Sequence, residues 1–161
     1  MNVTFAPKGI VQIDDARICF RNFKGAGSKY NREGDRNFAI VIPSQDIADA
    51  LMQDVNEYEV GWNVHVKPPK EEGDTPFMYL PVKIKFNGRG PAIYICSGRG
   101  TYKMDESEVG QLDEIDIDHV DLDIRPYDDV VNGKPFRAAY LQSIRITQHV
   151  DRFAKDYEER E

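Results

Sequence analysis

Apolar and polar residues alternate along most of the chain. In 16–23 the period places Ile18 and Phe20 on one face and Arg17, Cys19 and Arg21 on the other, which predicts a half-buried strand. Phe38, Ile40 and Ile42 share a face in 36–42. The segment between, 24–35, carries Gly25, Gly27 and Gly34 without apolar periodicity and predicts a loop that closes a hairpin. The period then lengthens. Ser44 stands as an N-cap, Asp46 falls in the first turn, and Ile47, Ala48, Leu51, Met52 and Val55 recur at helical spacing, predicting one amphipathic helix over about 45–56.

Alternation resumes at Trp62, Val64 and Val66, and is clearest in 77–86. There Met78, Leu80, Val82, Ile84 and Phe86 oppose Phe77, Tyr79, Pro81, Lys83 and Lys85. Asn87-Gly88 predicts a tight turn into a strand over 91–97, with Ile93 and Ile95 on one face, and 97–100 forms a second Gly-rich loop. Asp105 and Glu108 have capping-box spacing ahead of a short helix near 105–112. Val120, Leu122 and Ile124 predict a further strand, and Asn132-Gly133 turns it into 136–147, where Tyr140, Gln142, Ile144 and Ile146 share one parity. Val150, Phe153, Ala154 and Tyr157 return to helical spacing, so 149–161 is expected to be a charged C-terminal helix or tail. Turn-joined strands with a single helix between two groups predict a mainly β fold in one domain over 1–161. The expected form is a Greek-key barrel of the oligonucleotide-binding (OB) type with one inserted helix, and a β-sandwich competes.

A chain of 161 residues, 40% apolar, buries roughly two thirds of its unfolded surface and needs neither metal nor disulfide to hold a core. Cys19 and Cys96 each sit in a strand-like run with no partner at CxxC spacing, which reads as reduced core thiols. No run approaches the ~18 apolar residues of a membrane span, and the first residues lack a basic and apolar leader. A cytoplasmic protein without a membrane partner is expected. The net charge of −7 conceals a segregation that matters more than the sum. Residues 1–36 hold 7 basic and 4 acidic groups, 62–103 hold 7 and 3, and 104–131 hold 1 and 11.

Enzyme readings find little support. There is no P-loop, no GxGxxG after a strand, no HExxH and no Gly-x-Ser-x-Gly elbow, and His65, His119 and His149 lie far apart. The exception is 113–129, where Asp116, Asp118, Asp121 and Asp123 offer carboxylates for a metal-dependent nuclease. The competing account makes them the solvent face of an alternating edge strand. No catalytic residue, resident metal or cofactor is predicted.

The basic segments combine cations with flat rings. Sequence-independent grip on an unpaired strand needs both: cations tracking the backbone, and rings on which bases stack. Arg17, Arg21, Lys24, Lys29, Arg32, Arg36, Lys67, Lys83, Lys85, Arg99 and Lys103 are the phosphate candidates. Tyr30, Phe77, Tyr79 and Tyr102 are the stacking candidates, with Trp62 and Phe23 as further ones, although Trp62 shares parity with Val64 and Val66 and reads equally as core. The decisive strand is 77–86: its apolar parity fills the core, which leaves Phe77, Tyr79, Lys83 and Lys85 together on the other face. A solvated strand face is the alternative reading of that pattern, and a structural or interaction protein would use the same face for a protein partner.

Five segments carry a resemblance. Arg21-Asn22-Phe23-Lys24-Gly25, Asn31-Arg32-Glu33-Gly34-Asp35-Arg36-Asn37-Phe38, Gly61-Trp62-Asn63-Val64, Tyr79-Leu80-Pro81-Val82-Lys83 and Val120-Asp121-Leu122-Asp123-Ile124-Arg125-Pro126-Tyr127 resemble the single-stranded DNA-binding proteins of bacterial viruses and prophages. The resemblance spans about 17–147. It implies an OB-fold, single-stranded DNA as partner, and a non-catalytic role coating exposed strands in replication or recombination, in the bacterial host cytoplasm. Replication or recombination proteins and a second copy of the chain are compatible partners. One departure is the end of the chain: 151–161 mixes five acids with Arg152, Lys155 and Arg160 where many such proteins carry an acidic tail.

Overall fold

The computed structural model describes residues 1–88 and 90–150. The strands are β1 (Asn2–Phe5), β2 (Val11–Asp14), β3 (Ile18–Asn22), β4 (Arg36–Ile42), β5 (His65–Lys67), β6 (Phe77–Ile84), β7 (Ala92–Ser97), β8 (Gly100–Met104), β9 (Ile117–Val131) and β10 (Lys134–Gln148), with one α-helix, α1 (Gln45–Gln53). All ten strands join one mixed sheet in the order β1-β2-β9-β10-β6-β4-β3, with β5 added to β6, β7 to β10 and β8 to β7. The mainly β architecture with one inserted helix is the expected one. The expected terminal helix or tail lies, from residue 151, outside the described residues.

The run 11–22 serves both ends of the sheet. Val11–Ile13 pair with β9, the Ala16 N–H donates to the Val120 carbonyl (2.8 Å), and Ile18–Asn22 pair with β4. This draws the two ends together around one core, in which Val11, Ile13, Phe38, Ile40, Leu80, Val82, Ile93, Ile124, Ile144 and Ile146 are buried. Each comes from the inward parity of its strand, as a period of two requires. Helix α1 follows its N-cap as predicted: the Ser44 hydroxyl accepts from the Ile47 N–H, and Ala48 and Leu51 are buried. It ends at Gln53, three residues earlier than the spacing suggested, so Val55 is exposed. Gly61 is required there, because a Cβ would lie 2.1 Å from the Met52 carbonyl oxygen.

Several expectations are corrected. Asn87-Gly88 does not close a hairpin: β6 and β7 both run parallel to β10, β6 at Ala139–Tyr140 and β7 at Ser143–Thr147, so the turn joins two successive stretches along one partner. The common parity of Tyr140, Gln142, Ile144 and Ile146 is broken by a register shift between Leu141 and Ser143. One extra residue flips the faces, so Leu141, Ile144 and Ile146 point inward. β9 is an interior strand between β2 and β10, not an edge. The strand seen at Trp62 shrinks to β5, where Val66 is exposed. The β9–β10 hairpin turns at Asn132-Gly133, with φ of 52° and 76°, the positive pair such two-residue turns demand. The capping box is present, with the Asp105 N–H donating to Glu108 Oε1 and the Glu108 N–H to Asp105 Oδ1, ahead of a short 3-10 helix at Val109–Asp113. The strands at 2–14 were not anticipated; their alternating runs are four residues each. Both thiols are free, Cys96 buried and Cys19 half-buried.

Candidate nucleic-acid interface

The outer parity of β6 builds the site. Met78, Leu80, Val82 and Ile84 fill the core, which forces Phe77, Tyr79, Pro81, Lys83 and Lys85 outward. Antiparallel pairing sets His65 beside Tyr79 and Lys67 beside Phe77. The Phe77 and Tyr79 rings stack at 5.6 Å, and His65 lies 5.1 Å from Tyr79.

A fourth ring was placed in the core by its parity. Phe20 shares the alternation of Ile18, yet it is 57% exposed and packs edge-on against Tyr79 (5.3 Å) and Phe77 (6.2 Å). The cause is a register shift between Cys19 and Asn22 and a φ of 51° at Phe20. That left-handed backbone costs a residue with a Cβ about 1 kcal/mol or more, and such strain collects at functional positions. Phe20, His65, Phe77 and Tyr79 thus form one aromatic pad over three strands, with Phe20, His65 and Phe77 exposed and Tyr79 half-buried among them. Neither Phe20 nor His65 was among the sequence-derived candidates; an aromatic just before the Arg21-Asn22 segment and a ring next to Lys67 were the available signals.

The same shift turns Arg21 inward. Its guanidinium donates to the Leu112 and Ile115 carbonyls, both at 2.7 Å, so it staples the 3-10 segment to β3 rather than facing a phosphate. Phe23 is fully buried and stacks on Phe38 at 5.2 Å, and Trp62 is buried with its indole N–H on Asp54 (2.8 Å). Neither ring is open to a base. The remaining cations divide by place. Lys83 and Lys85 are exposed at the end of β6, and neither forms an ion pair among the described residues. With Arg32, Arg36 and Asn37 they line a groove of about 470 Å³ beside Phe86 and Glu106. Arg36 is half-buried, donates to the Phe23 carbonyl, lies over Phe86 (5.6 Å) and approaches Glu106 at 3.9 Å. Arg32 is paired with Asp35 at 3.5 Å. Lys103 lines a second groove, which shares Phe86 and Glu106 with the first.

Other candidates lie away from the pad. Tyr30 is 90% exposed at the tip of the β3–β4 loop, with the Lys29 ammonium 5.6 Å from its ring centroid. Asn31 holds that loop by donating to the Ala26, Arg32 and Asp35 carbonyls, and Asn37 donates to Asn31 Oδ1 (2.9 Å). Lys24 is exposed near it, its backbone N–H on Asp113. Arg17 is exposed just before β3, and its carbonyl accepts from the Val41 N–H. Arg99 and Tyr102 belong to the β7–β8 hairpin, where the Tyr102 hydroxyl donates to the Arg99 carbonyl (3.3 Å). Among the described residues β8 pairs only with β7, so this hairpin forms no part of the face of β3, β5 and β6 that carries the pad.

The acidic stretch is occupied by internal contacts. Asp113 accepts from the Phe23 and Lys24 N–H groups, Asp121 from the Asp15 N–H, and Asp121 and Asp118 pair with His119 and His149. Asp123 is pushed above the usual carboxylate range by burial, with Asp14 adding to it. Among the described residues no group of His, Cys, Asp or Glu is placed to hold a metal ion, and no helix is long and apolar enough to cross a membrane.

An OB-like sheet bearing an exposed aromatic pad beside lysines that form no ion pair among the described residues is the kind of surface that single-strand-binding domains use. A family described as "Putative phage ssDNA-binding domain" matches residues 2–160, and the chain belongs to that family. No curated protein sequence matches the chain. Solved structures of the single-stranded DNA-binding protein from bacteriophage Enc34 share the fold. Its C-terminal truncation aligns with a TM-score of 0.57 at 12% identity, covering 93% of this chain and 92% of that one. The same protein in complex with ssDNA aligns at 0.55 and 13% identity, covering 95% and 94%.

Proposed function

We propose that the protein binds single-stranded DNA without sequence preference and acts in phage DNA replication or recombination, in the cytoplasm of a bacterial host. One observation carries this: Phe20, His65 and Phe77 stand exposed around a half-buried Tyr79, on the sheet face from which Lys83 and Lys85 project without carboxylate partners among the described residues. Every base has a π-face, so a pad of rings accepts any sequence, and lysines compensate the phosphates alongside. Family membership and the neighbour solved with ssDNA point the same way. Bases stack on Tyr79, Phe77 and Phe20 in this reading, Lys67, Lys83 and Lys85 take the adjoining phosphates, Arg36 and Lys103 extend the track through the grooves, and Tyr30 with Lys29 reaches the strand from the loop tip.

Titrating poly-dT at two salt concentrations while following tyrosine fluorescence tests the reading. Log affinity should fall with log salt at a slope near −0.7 per neutralised phosphate. Salt-insensitive binding, or none at low salt, overturns it.

A further inference from the structure

The outer face continues beyond Lys85. β2 pairs with β9 only at Leu122–Ile124, whereas the β9–β10 ladder runs on to Val131 and Lys134 as a two-stranded arm. Register places Tyr140 beside Lys83 on one side and beside Arg125 on the other, with Tyr127 opposite Ala138. The Tyr127 and Tyr140 rings stack 5.0 Å apart and 6° from parallel. Tyr140 is the buried member, and Tyr127 above it is 40% exposed. Lys85 Nζ and the Arg125 guanidinium lie 5.5 and 5.1 Å from the Tyr140 centroid. One carboxylate is close: Asp129 accepts from the Tyr127 hydroxyl at 3.2 Å, which raises the phenol's pKa and keeps it neutral.

The arm is fixed at its root. Arg137, the buried charged residue among those described, donates to both Asp128 oxygens (2.8 and 3.1 Å) and to the Asp54 carbonyl (2.7 Å), while its guanidinium lies over Trp62. Asn56 adds a bond to Asp128. A desolvated guanidinium with this many partners holds one geometry, and stacking sites gain from such preorganisation. Packing accounts for Tyr140, which is covered, but not for a Tyr127 ring left 40% exposed in a cluster with two cations.

We propose that Tyr127, backed by Tyr140 and flanked by Lys85 and Arg125, is a second base-stacking station for the strand that the β6 pad holds. The proposal rests on the single-strand-binding reading and adds to it a path. Four residues along β6 and one strand across put Tyr140 about 14 Å from Tyr79. That is about four base steps at the ~3.4 Å per-strand rise of stacked nucleic acid, with Lys83 level with Tyr140 and Lys85 just beyond it.

The test uses (dT)12 at low salt with the full chain and three variants, each checked for an unchanged urea midpoint. Tyr127→Ala should weaken binding at least about fivefold, the loss of one stacked base, and Tyr127→Phe should stay within about twofold. A (dT)12 carrying 5-iododeoxyuridine should crosslink to Tyr127 as well as to the β6 pad. If Tyr79→Ala weakens binding while Tyr127→Ala leaves it unchanged and no Tyr127 adduct forms, the second station is wrong and the β6 reading stands. Equal losses in the Ala and Phe variants would assign Tyr127 a hydroxyl contact in place of stacking and overturn the proposal. Failure of the unmodified chain to bind (dT)12 removes the underlying reading itself.

Discussion

β6 and β9 carry the same alternation and put it to opposite uses. On β9 the outward residues are mostly carboxylates, and the protein itself answers its acids: Asp121 takes the Asp15 N–H and His119, Asp128 on the inward parity takes Arg137, and Asp113 just before the strand caps two N–H groups of the β3–β4 loop. On β6 the outward residues are mostly rings and lysines, and among the described residues no carboxylate answers the lysines. A net charge of −7 therefore says little about the partner. The acids hold the architecture, and the cations that remain face outward where a polyanion can approach.

The architectural side of this contrast should break hardest. Arg137→Met leaves Asp128 without its counter-charge, and the loss of unfolding free energy should be about 2–3 kcal/mol. It falls below the ~3–5 kcal/mol of a fully buried pair because the Asp128 side chain keeps 25% of its surface exposed. Urea unfolding measures it, and Lys83→Met, on the other face, should move the midpoint little. The pair also has a pH signature. The hydrogen bonds from Arg137 hold Asp128 below the usual carboxylate range, so the unfolded chain takes up its proton first as pH falls. That stabilisation is complete above pH ~4, the unfolded carboxylate value, and is lost as pH drops through the depressed folded value. The stability gap between the parent and Arg137→Met should therefore close in acid; a constant gap would show that Asp128 is not the partner that matters.

The binding side should break next. Tyr79→Ala removes the ring shared by Phe20, Phe77 and His65. Affinity for poly-dT and for mixed-sequence strands should fall alike by about 1–3 kcal/mol, with stability changed far less. A loss confined to one base composition would mean that hydrogen-bond readout, not stacking, governs the pad.

Both halves of the contrast were partly written in the chain. The β6 face was legible because five apolar residues at strict period two leave no ambiguity about which side is core, and the helix was legible from Ser44 and its apolar spacing. Phe20, Arg21 and Tyr140 were not. Each lies beside a register shift, and a single inserted residue reverses every side chain on one side of it without changing composition or hydropathy. Trp62 was ambiguous for another reason: an aromatic near lysines reads as platform or core until its ring is placed. Asp54 and Arg137, which fix it inside, come from sequence positions 8 and 75 residues away. The Tyr127–Tyr140 pair was hidden because it forms only across the β9–β10 register.

The smallest effects test the charge half of the contrast most sharply. Lys83→Gln should remove one phosphate contact and flatten the salt slope by about 0.7, with little change in the affinity extrapolated to high salt. Glu106→Gln is its mirror. Glu106 is 63% exposed, 3.9 Å from Arg36, and lines both grooves, where it opposes an incoming phosphate. An exposed pair of this kind contributes about 0–1 kcal/mol, so removing the carboxylate should tighten binding by no more than about fivefold, and salt should erase the gain. Asp121→Asn, on the β9 side, should not tighten binding, because that carboxylate is already held by His119 and the Asp15 N–H. If Asp121→Asn tightened binding as much as Glu106→Gln, bulk charge rather than its placement would govern affinity, and the contrast between the two strands would lose its functional meaning.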